Sequence, residues 1–248
     1  MHEFEGQSDR RLPIYLGEPH ACPYLPERTA LDAFTITSEG RVTSAMYERL
    51  MNLGFRRSGT IIYRPVCELC SACVPIRVPV ADFAPSRSQR RVARRNADVR
   101  VELGRPRCDD ARYDLYCRYQ RHRHPDRVDS RDAFARFLVD SPIQTLEFAF
   151  FTSGRLVGIS IVDACPASLS SVYFYYDPAE SARSLGVFSG LCEIEECRRR
   201  GLAYWYLGYF VRGCAKMEYK ARFQPAELLG TDGVWRRMAD SDGSKATQ

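Results

Sequence analysis

Three cysteines stand three positions apart in Cys67-Glu68-Leu69-Cys70-Ser71-Ala72-Cys73, and a fourth, Cys22, lies upstream in Pro19-His20-Ala21-Cys22-Pro23-Tyr24. A turning loop with this spacing can aim every sulfur at one centre. Four thiolates complete a closed tetrahedral zinc site or hold an iron–sulfur cluster. The pattern predicts a metal centre at Cys22, Cys67, Cys70 and Cys73, with His20 as a spare ligand, and does not choose between zinc and iron–sulfur. The other six cysteines are scattered and are expected to behave as small buried apolar residues.

A second concentration of chemistry is basic. Arg87, Arg90, Arg91, Arg94 and Arg95 recur at spacings of three and four, which aligns them on one helical face, and no acid occurs between Ser86 and Ala97. A solvated helix would interleave acids at i+4, so this face is expected to meet phosphates that relieve its self-repulsion. Further on, Lys216, Tyr219 and Lys220 fall at helical spacing, which would present two ammoniums and a phenol together to an acidic side chain or to phosphates. Around Ser184, Leu185 and Gly186 a polar loop opens a helix, so backbone amides there are expected to face an anion or an oxyanion.

Several elements must position these groups. Apolar residues at helical spacing predict a helix over 42–53 capped by Gly54, then a strand over 59–64 and its return strand over 76–80. The arginine face makes a helix of 86–97. Helices over 113–119 and 133–139 follow, joined by a basic loop from Arg121 to Pro125 whose two histidines lack ligand spacing. Strands over 145–151 and 156–162 form a hairpin turning at Ser153-Gly154, with a third strand over 171–176. A helix over 185–200, a strand over 203–210, a helix over 214–223 and a short strand over 234–238 complete the series. This order predicts an α+β fold: an N-acetyltransferase-like C-terminal core over 106–240, a smaller Cys-rich N-terminal lobe with the basic helix over 1–105, and a polar tail over 241–248.

With 248 residues, 45% of them apolar, the chain can bury a proper core. No run of 18 apolar residues appears and the first eleven residues lack a signal-peptide core, so the expectation is a cytoplasmic protein without a membrane span. A net charge of +5, concentrated in bursts, points to an anionic partner.

Ordered matches through both halves resemble the arginyl/leucyl-tRNA protein transferase family, most closely its compact bacterial branch. In the first half they are Cys22-Pro23-Tyr24, Gly54-Phe55-Arg56-Arg57-Ser58-Gly59, Tyr63-Arg64-Pro65, the cysteine segment as far as Arg77, and Ser88-Gln89-Arg90-Arg91. In the second they are Tyr173-Phe174-Tyr175-Tyr176-Asp177-Pro178, Ser184-Leu185-Gly186, Tyr206-Leu207-Gly208-Tyr209 and Lys216-Met217-Glu218-Tyr219-Lys220. The resemblance implies transfer of leucine, alternatively arginine, from charged tRNA to the N-terminal Asp or Glu of a protein, marking it for degradation by the N-end rule. The compact length favours leucine.

Such a reaction starts from an ester already activated by the tRNA, so no cofactor is required for the chemistry. The protein must align amine and ester, take the amine's surplus proton and stabilise the oxyanion. On this reading Asp177 orients the amine or accepts its proton, Tyr209 donates to the leaving oxygen, and Ser184, Leu185, Gly186, Lys216, Tyr219 and Lys220 bind substrate. Two rivals remain. An acetyl-CoA N-acetyltransferase would need the R-x-x-G-x-G/A loop that Arg183 to Phe188 approximates, but Phe188 breaks its last position. A zinc-linked RNA-binding module would leave the acyltransferase-like half without a task.

Overall fold

The computed structural model describes residues 12–37, 42–123 and 130–238. His124 and Pro125 of the basic loop and the tail over 241–248 lie outside them. The architecture is mixed α/β. In chain order the elements are β1 (Tyr15–Leu16), β2 (His20–Ala21), β3 (Thr29–Ala30), β4 (Asp32–Ile36), α1 (Ser44–Asn52), β5 (Arg56–Ser58), β6 (Ile61–Pro65), β7 (Val74–Pro79), α2 (Arg87–Arg95) and β8 (Arg100–Gly104). Then follow α3 (Asp110–Arg123), α4 (Arg131–Phe134), β9 (Thr145–Thr152), β10 (Arg155–Ala164), β11 (Ser168–Tyr176), α5 (Leu185–Arg199), β12 (Tyr204–Phe210), α6 (Ala215–Glu218), β13 (Glu227–Leu229) and β14 (Trp235–Arg237).

An eight-stranded sheet in the order β14-β13-β7-β12-β11-β10-β9-β8 forms the spine, and a four-stranded sheet β1-β4-β6-β5 stands beside it. The strand expected to return along β6 does not do so: β7 pairs with β12 and β13 instead. Its burial explains this. Ile76 and Val78 are fully enclosed, and an apolar strand gains more in the middle of the large sheet than at the edge of the small one. Because β7 and β8 belong to the large sheet, the first 105 residues contribute two of its strands.

The hairpin β9–β10 turns on Ser153 and Gly154, both at positive φ, as a two-residue type I′ turn requires. Alternation along β9 divides the core: Phe148 and Phe150 face a cluster with Ile194, Trp205 and Phe223, while Ala149 faces one with Leu115, Tyr116, Phe134 and Tyr175. Helix α5 therefore covers one face of the sheet, and α3 with α4 covers the other. Helix α1, capped by the Thr43 side chain, lays Tyr47 and Met51 against Ile62 and Tyr206 and so seals the small sheet onto the large one.

A buried ion pair adds to that seam. Arg57 on β5 grips Asp163 on β10 through two hydrogen bonds of 2.7 Å, with both side chains fully enclosed. Burial lowers the Arg57 pKa, but the Asp163 carboxylate more than offsets this and leaves it above its ordinary value.

Strands β11 and β12 are parallel, yet they pair only from Ser168 with Tyr204 to Ser170 with Tyr206. Beyond that they part. On its other side β12 slips register against β7 between Tyr206 and Tyr209, where Gly208 adopts φ +84°. A bulge at this point turns the strand away from its neighbour and opens a cleft.

Candidate active site

The cleft between β11 and β12 is a cavity of about 120 Å³ floored by α5, with Gly186 and Gly190 on its wall and Tyr219 and Lys220 across it. Its lining includes the buried carboxylate of Glu193. Spaced at four-residue intervals, Leu185, Ser189, Glu193 and Cys197 form the buried line of α5, which carries this carboxylate into the core. Oε1 accepts hydrogen bonds from Ser160 (2.7 Å) and Ser189 (2.8 Å), and Oε2 accepts from Ser171 and from Trp205 Nε1 (2.8 Å). Burial pushes the Glu193 carboxyl above its ordinary value, and the four donors pull against that.

Opposite lies Lys220. Its Nζ donates to the carbonyl of Tyr209 at 2.8 Å and approaches Met217 Sδ at 3.5 Å. No carboxylate pairs with it among the described residues. Burial, reinforced by the nearby Arg56 guanidinium, lowers its pKa from 10.5 to about 7. Arg56 itself donates to the carbonyls of Met51, Phe55 and Gly208. Two cations thus hang on adjacent carbonyls of the β12 bulge, and a β-carbon at Gly208 would sit 3.5 Å from Nζ.

Packing around the cleft is tight. A β-carbon built on Gly190 would fall 2.7 Å from Trp205 and 2.8 Å from Phe223. Gly190→Ala is therefore expected to lose about 1–3 kcal/mol through overpacking, read as a lower denaturation midpoint with unchanged slope.

The residues expected from sequence to bind or react divide in three ways. Gly186, Tyr219 and Lys220 do line the cleft. Lys216 does not share their face, because α6 ends at Glu218 and the chain tightens to a 3₁₀ turn over Tyr219–Arg222, leaving Lys216 exposed and Lys220 buried. Leu185 is a core residue, and Ser184 opens α5 in a left-handed conformation without a side-chain cap.

Asp177 and Tyr209 are engaged elsewhere. The Asp177 carboxylate caps the turn after β11 through the Ala179 N–H and pairs with Arg155 at 2.5 Å, with Arg118 at 3.8 Å. Tyr209 is buried, and its hydroxyl donates to the carbonyl of Gly54 at 2.8 Å. Each is held in a structural bond that a reacting group would have to abandon. Glu193, its three serines and Trp205 carry no motif of their own in the sequence, and Arg56 stands there only within the Gly54 to Gly59 match. The only legible sign was an acid on the buried period of an apolar helix.

The five arginines of α2 are all exposed, and the helix begins with a capping box between Ser86 and Gln89. Its far end is tied to the start of α5. Asn96 Nδ2 donates to the carbonyl of Arg183 at 2.9 Å, and Arg95 donates to that of Ala182. The basic face therefore ends beside the turn that opens onto the cleft.

Cys22, Cys67, Cys70 and Cys73 do line one cavity, of about 470 Å³, between the small sheets. Burial and then the neighbouring thiols of Cys22, Cys67 and Cys70 push the Cys73 thiol up to about 12. Yet among the described residues no three His, Cys, Asp or Glu side chains converge closely enough to hold an ion. Three of the sulfurs have separate partners: Cys22 accepts from the Leu25 N–H, Cys70 from Arg28, and Cys67 turns to the carbonyl of Leu31. The expectation of zinc or an iron–sulfur cluster is not supported by this geometry. No described helix is long and apolar enough to cross a membrane.

Comparison with known proteins bears on both halves. Residues 20–91 match the family described as arginine-tRNA-protein transferase, N terminus, and residues 111–230 match its C terminus. An aspartate/glutamate leucyltransferase of Pseudomonas aeruginosa (strain LESB58) is 46% identical over 222 residues, covering 88% of this chain and 94% of the relative. One from Marinobacter nauticus is 43% identical over 233 residues, covering 93% and 98%. Among solved structures, FemX superimposes with a TM-score of 0.50 at 8% identity over 73% of this chain and 65% of that one, a likeness of fold alone.

Proposed function

Since the chain belongs to the arginyl/leucyl-tRNA protein transferase family and is an aminoacyltransferase, we propose that it transfers leucine from leucyl-tRNA to the N-terminal Asp or Glu of a protein, tagging it for degradation. The near-complete match to the leucyltransferases carries the choice of donor and acceptor. The parting of β11 and β12 over α5 supports an N-acetyltransferase-like core in which the cleft is the reaction site, and the tRNA substrate supports a cytoplasmic place of action.

In this reading the acceptor's α-amine, with an ordinary pKa of about 7.7–8.0, attacks the ester carbonyl and a C–N bond forms. Lys220, neutral above about pH 7, takes the surplus proton from the nitrogen once the free amine has added, and returns it to the ribose oxygen as the C–O bond breaks. The well-matched pKa values favour a proton transfer in either direction. Amides in the first turn of α5, near Gly186, are placed to receive the oxyanion, because helix N-termini leave donors unsatisfied. Lys216, exposed on α6, remains available to an acidic side chain. The direct test supplies radiolabelled leucyl-tRNA and a peptide beginning with Asp. Label on the peptide is expected; no transfer from leucyl-tRNA would reject the assignment.

The arginines of α2 serve the tRNA backbone. Arg87, Arg91 and Arg94 have no carboxylate partner among the described residues and point away from the core. Replacing these three with alanine is expected to weaken tRNA binding at low salt and to flatten the plot of log K against log[salt] by roughly 0.7–0.9 for each phosphate that is no longer neutralised. An unchanged slope would place the tRNA elsewhere.

A further inference from the structure

Every acceptor position of the cleft's carboxylate is filled. A carboxylate offers about four lone-pair sites, and Glu193 receives four donors: Ser160 and Ser189 on Oε1, Ser171 and Trp205 on Oε2. Those donors arrive from β10, β11, α5 and β12, so the arrangement is built from four elements rather than left by chance on one. Beside it Val172, Phe174, Leu207 and Phe223 give the cavity an apolar stretch of wall, while Lys220 on the far side adds a second group that opposes a cation whenever it is protonated. At about 120 Å³ the cavity is small, of the order of a single aliphatic side chain.

Resting on the aminoacyl-transfer reading above, we propose that Glu193 and its four donors form the donor-selectivity element of the cleft, admitting a neutral, branched aliphatic aminoacyl side chain and rejecting a cationic one. A leucyl group needs no hydrogen bonds and packs against the apolar wall. An arginyl group brings a guanidinium that must either displace the serines from Glu193 or be buried without a partner, and burying an unpaired charge is costly. Ser160, Ser171, Ser189 and Trp205 act here as positioning residues, since they work by occupying Glu193. The two serines on Oε1 are the simplest to remove, because loss of both hydroxyls frees two acceptor sites while the Oε2 partners keep the carboxylate in place.

The test compares wild type, Ser160→Ala/Ser189→Ala and Ser189→Ala alone, each assayed with leucyl-tRNA and arginyl-tRNA on a peptide beginning with Asp. Wild type should prefer leucine by about 100-fold or more in kcat/KM. In the double variant that ratio should fall at least about tenfold through a gain in arginyl transfer, which general damage to the fold cannot produce. Ser189→Ala should move it the same way by less, and it keeps the test decisive if the double variant does not fold. An unchanged ratio in the folded variants overturns the proposal while leaving aminoacyl transfer intact. Absence of transfer from either tRNA by wild type removes both readings together.

Discussion

Lys220→Met should lower transfer by about 10²–10⁴-fold, the range a positioned acid–base group supplies, and at the same time stabilise the protein. Both effects come from one property. Lys220 is buried, its Nζ meets a carbonyl and a thioether, and its pKa falls from 10.5 to about 7. A group whose protonated form is disfavoured on folding costs stability wherever it is charged. At 1.36 kcal/mol per pKa unit the cost is roughly 5 kcal/mol. Below pH 7 both folded and unfolded chains hold the proton and the full cost is present. As pH rises from about 7 to 10.5, the unfolded chain still binds the proton while the folded chain has released it, so wild-type stability increases. Methionine carries no proton in either state. Its advantage over wild type should be greatest at or below pH 7 and shrink toward pH 10.5, measured by denaturant titration at several pH values. The wild-type rate should rise through about pH 7, and in the variant only the rise set by the acceptor amine near about pH 8 should remain. A Lys220→Met enzyme with near-normal turnover would remove Lys220 from the chemistry.

Arg57→Ala should be the most damaging single change to the fold, with a loss of about 3–5 kcal/mol. The substitution leaves Asp163 fully enclosed with, among the described residues, only Thr145 Oγ1 donating to it at 2.7 Å. It also removes the donor to the Gly59 carbonyl at 2.8 Å. Because the pair joins β5 to β10, the damage should fall on the seam between the two sheets. Arg57→Lys should rescue only part, since an ammonium cannot reproduce the two-pronged contact. Chemical denaturation of both variants measures the effect, and a loss under about 1 kcal/mol in Arg57→Ala would mean that the seam is held by α1 packing alone.

Much of the local structure was open to reading along the chain. The hairpin at Ser153-Gly154, the α1 cap at Gly54 and the series of strand, helix and strand from β11 to β12 follow from period and turn chemistry, which depend on neighbours only a few residues away. The arginine face of α2 was legible for the same reason. The cysteine spacing was equally visible and does bring the four thiols to one cavity, but three of the sulfurs find separate partners there, which spacing alone does not show. Helical spacing failed at Lys216 and Lys220 where α6 tightened into a 3₁₀ turn.

Chain order and hydrophobic period were sufficient for the element types and for a basic helix beside a mixed α/β half, because both are local properties of residue sequence. Burial decided the rest. Glu193 finds its donors on four different elements, Lys220 loses charge only because Arg56 and the core surround it, and Asp177 and Tyr209 are taken up by Arg155 and Gly54. Each of these depends on contacts between residues far apart in the chain, and a residue's reactivity follows from the water and charge around it rather than from its type.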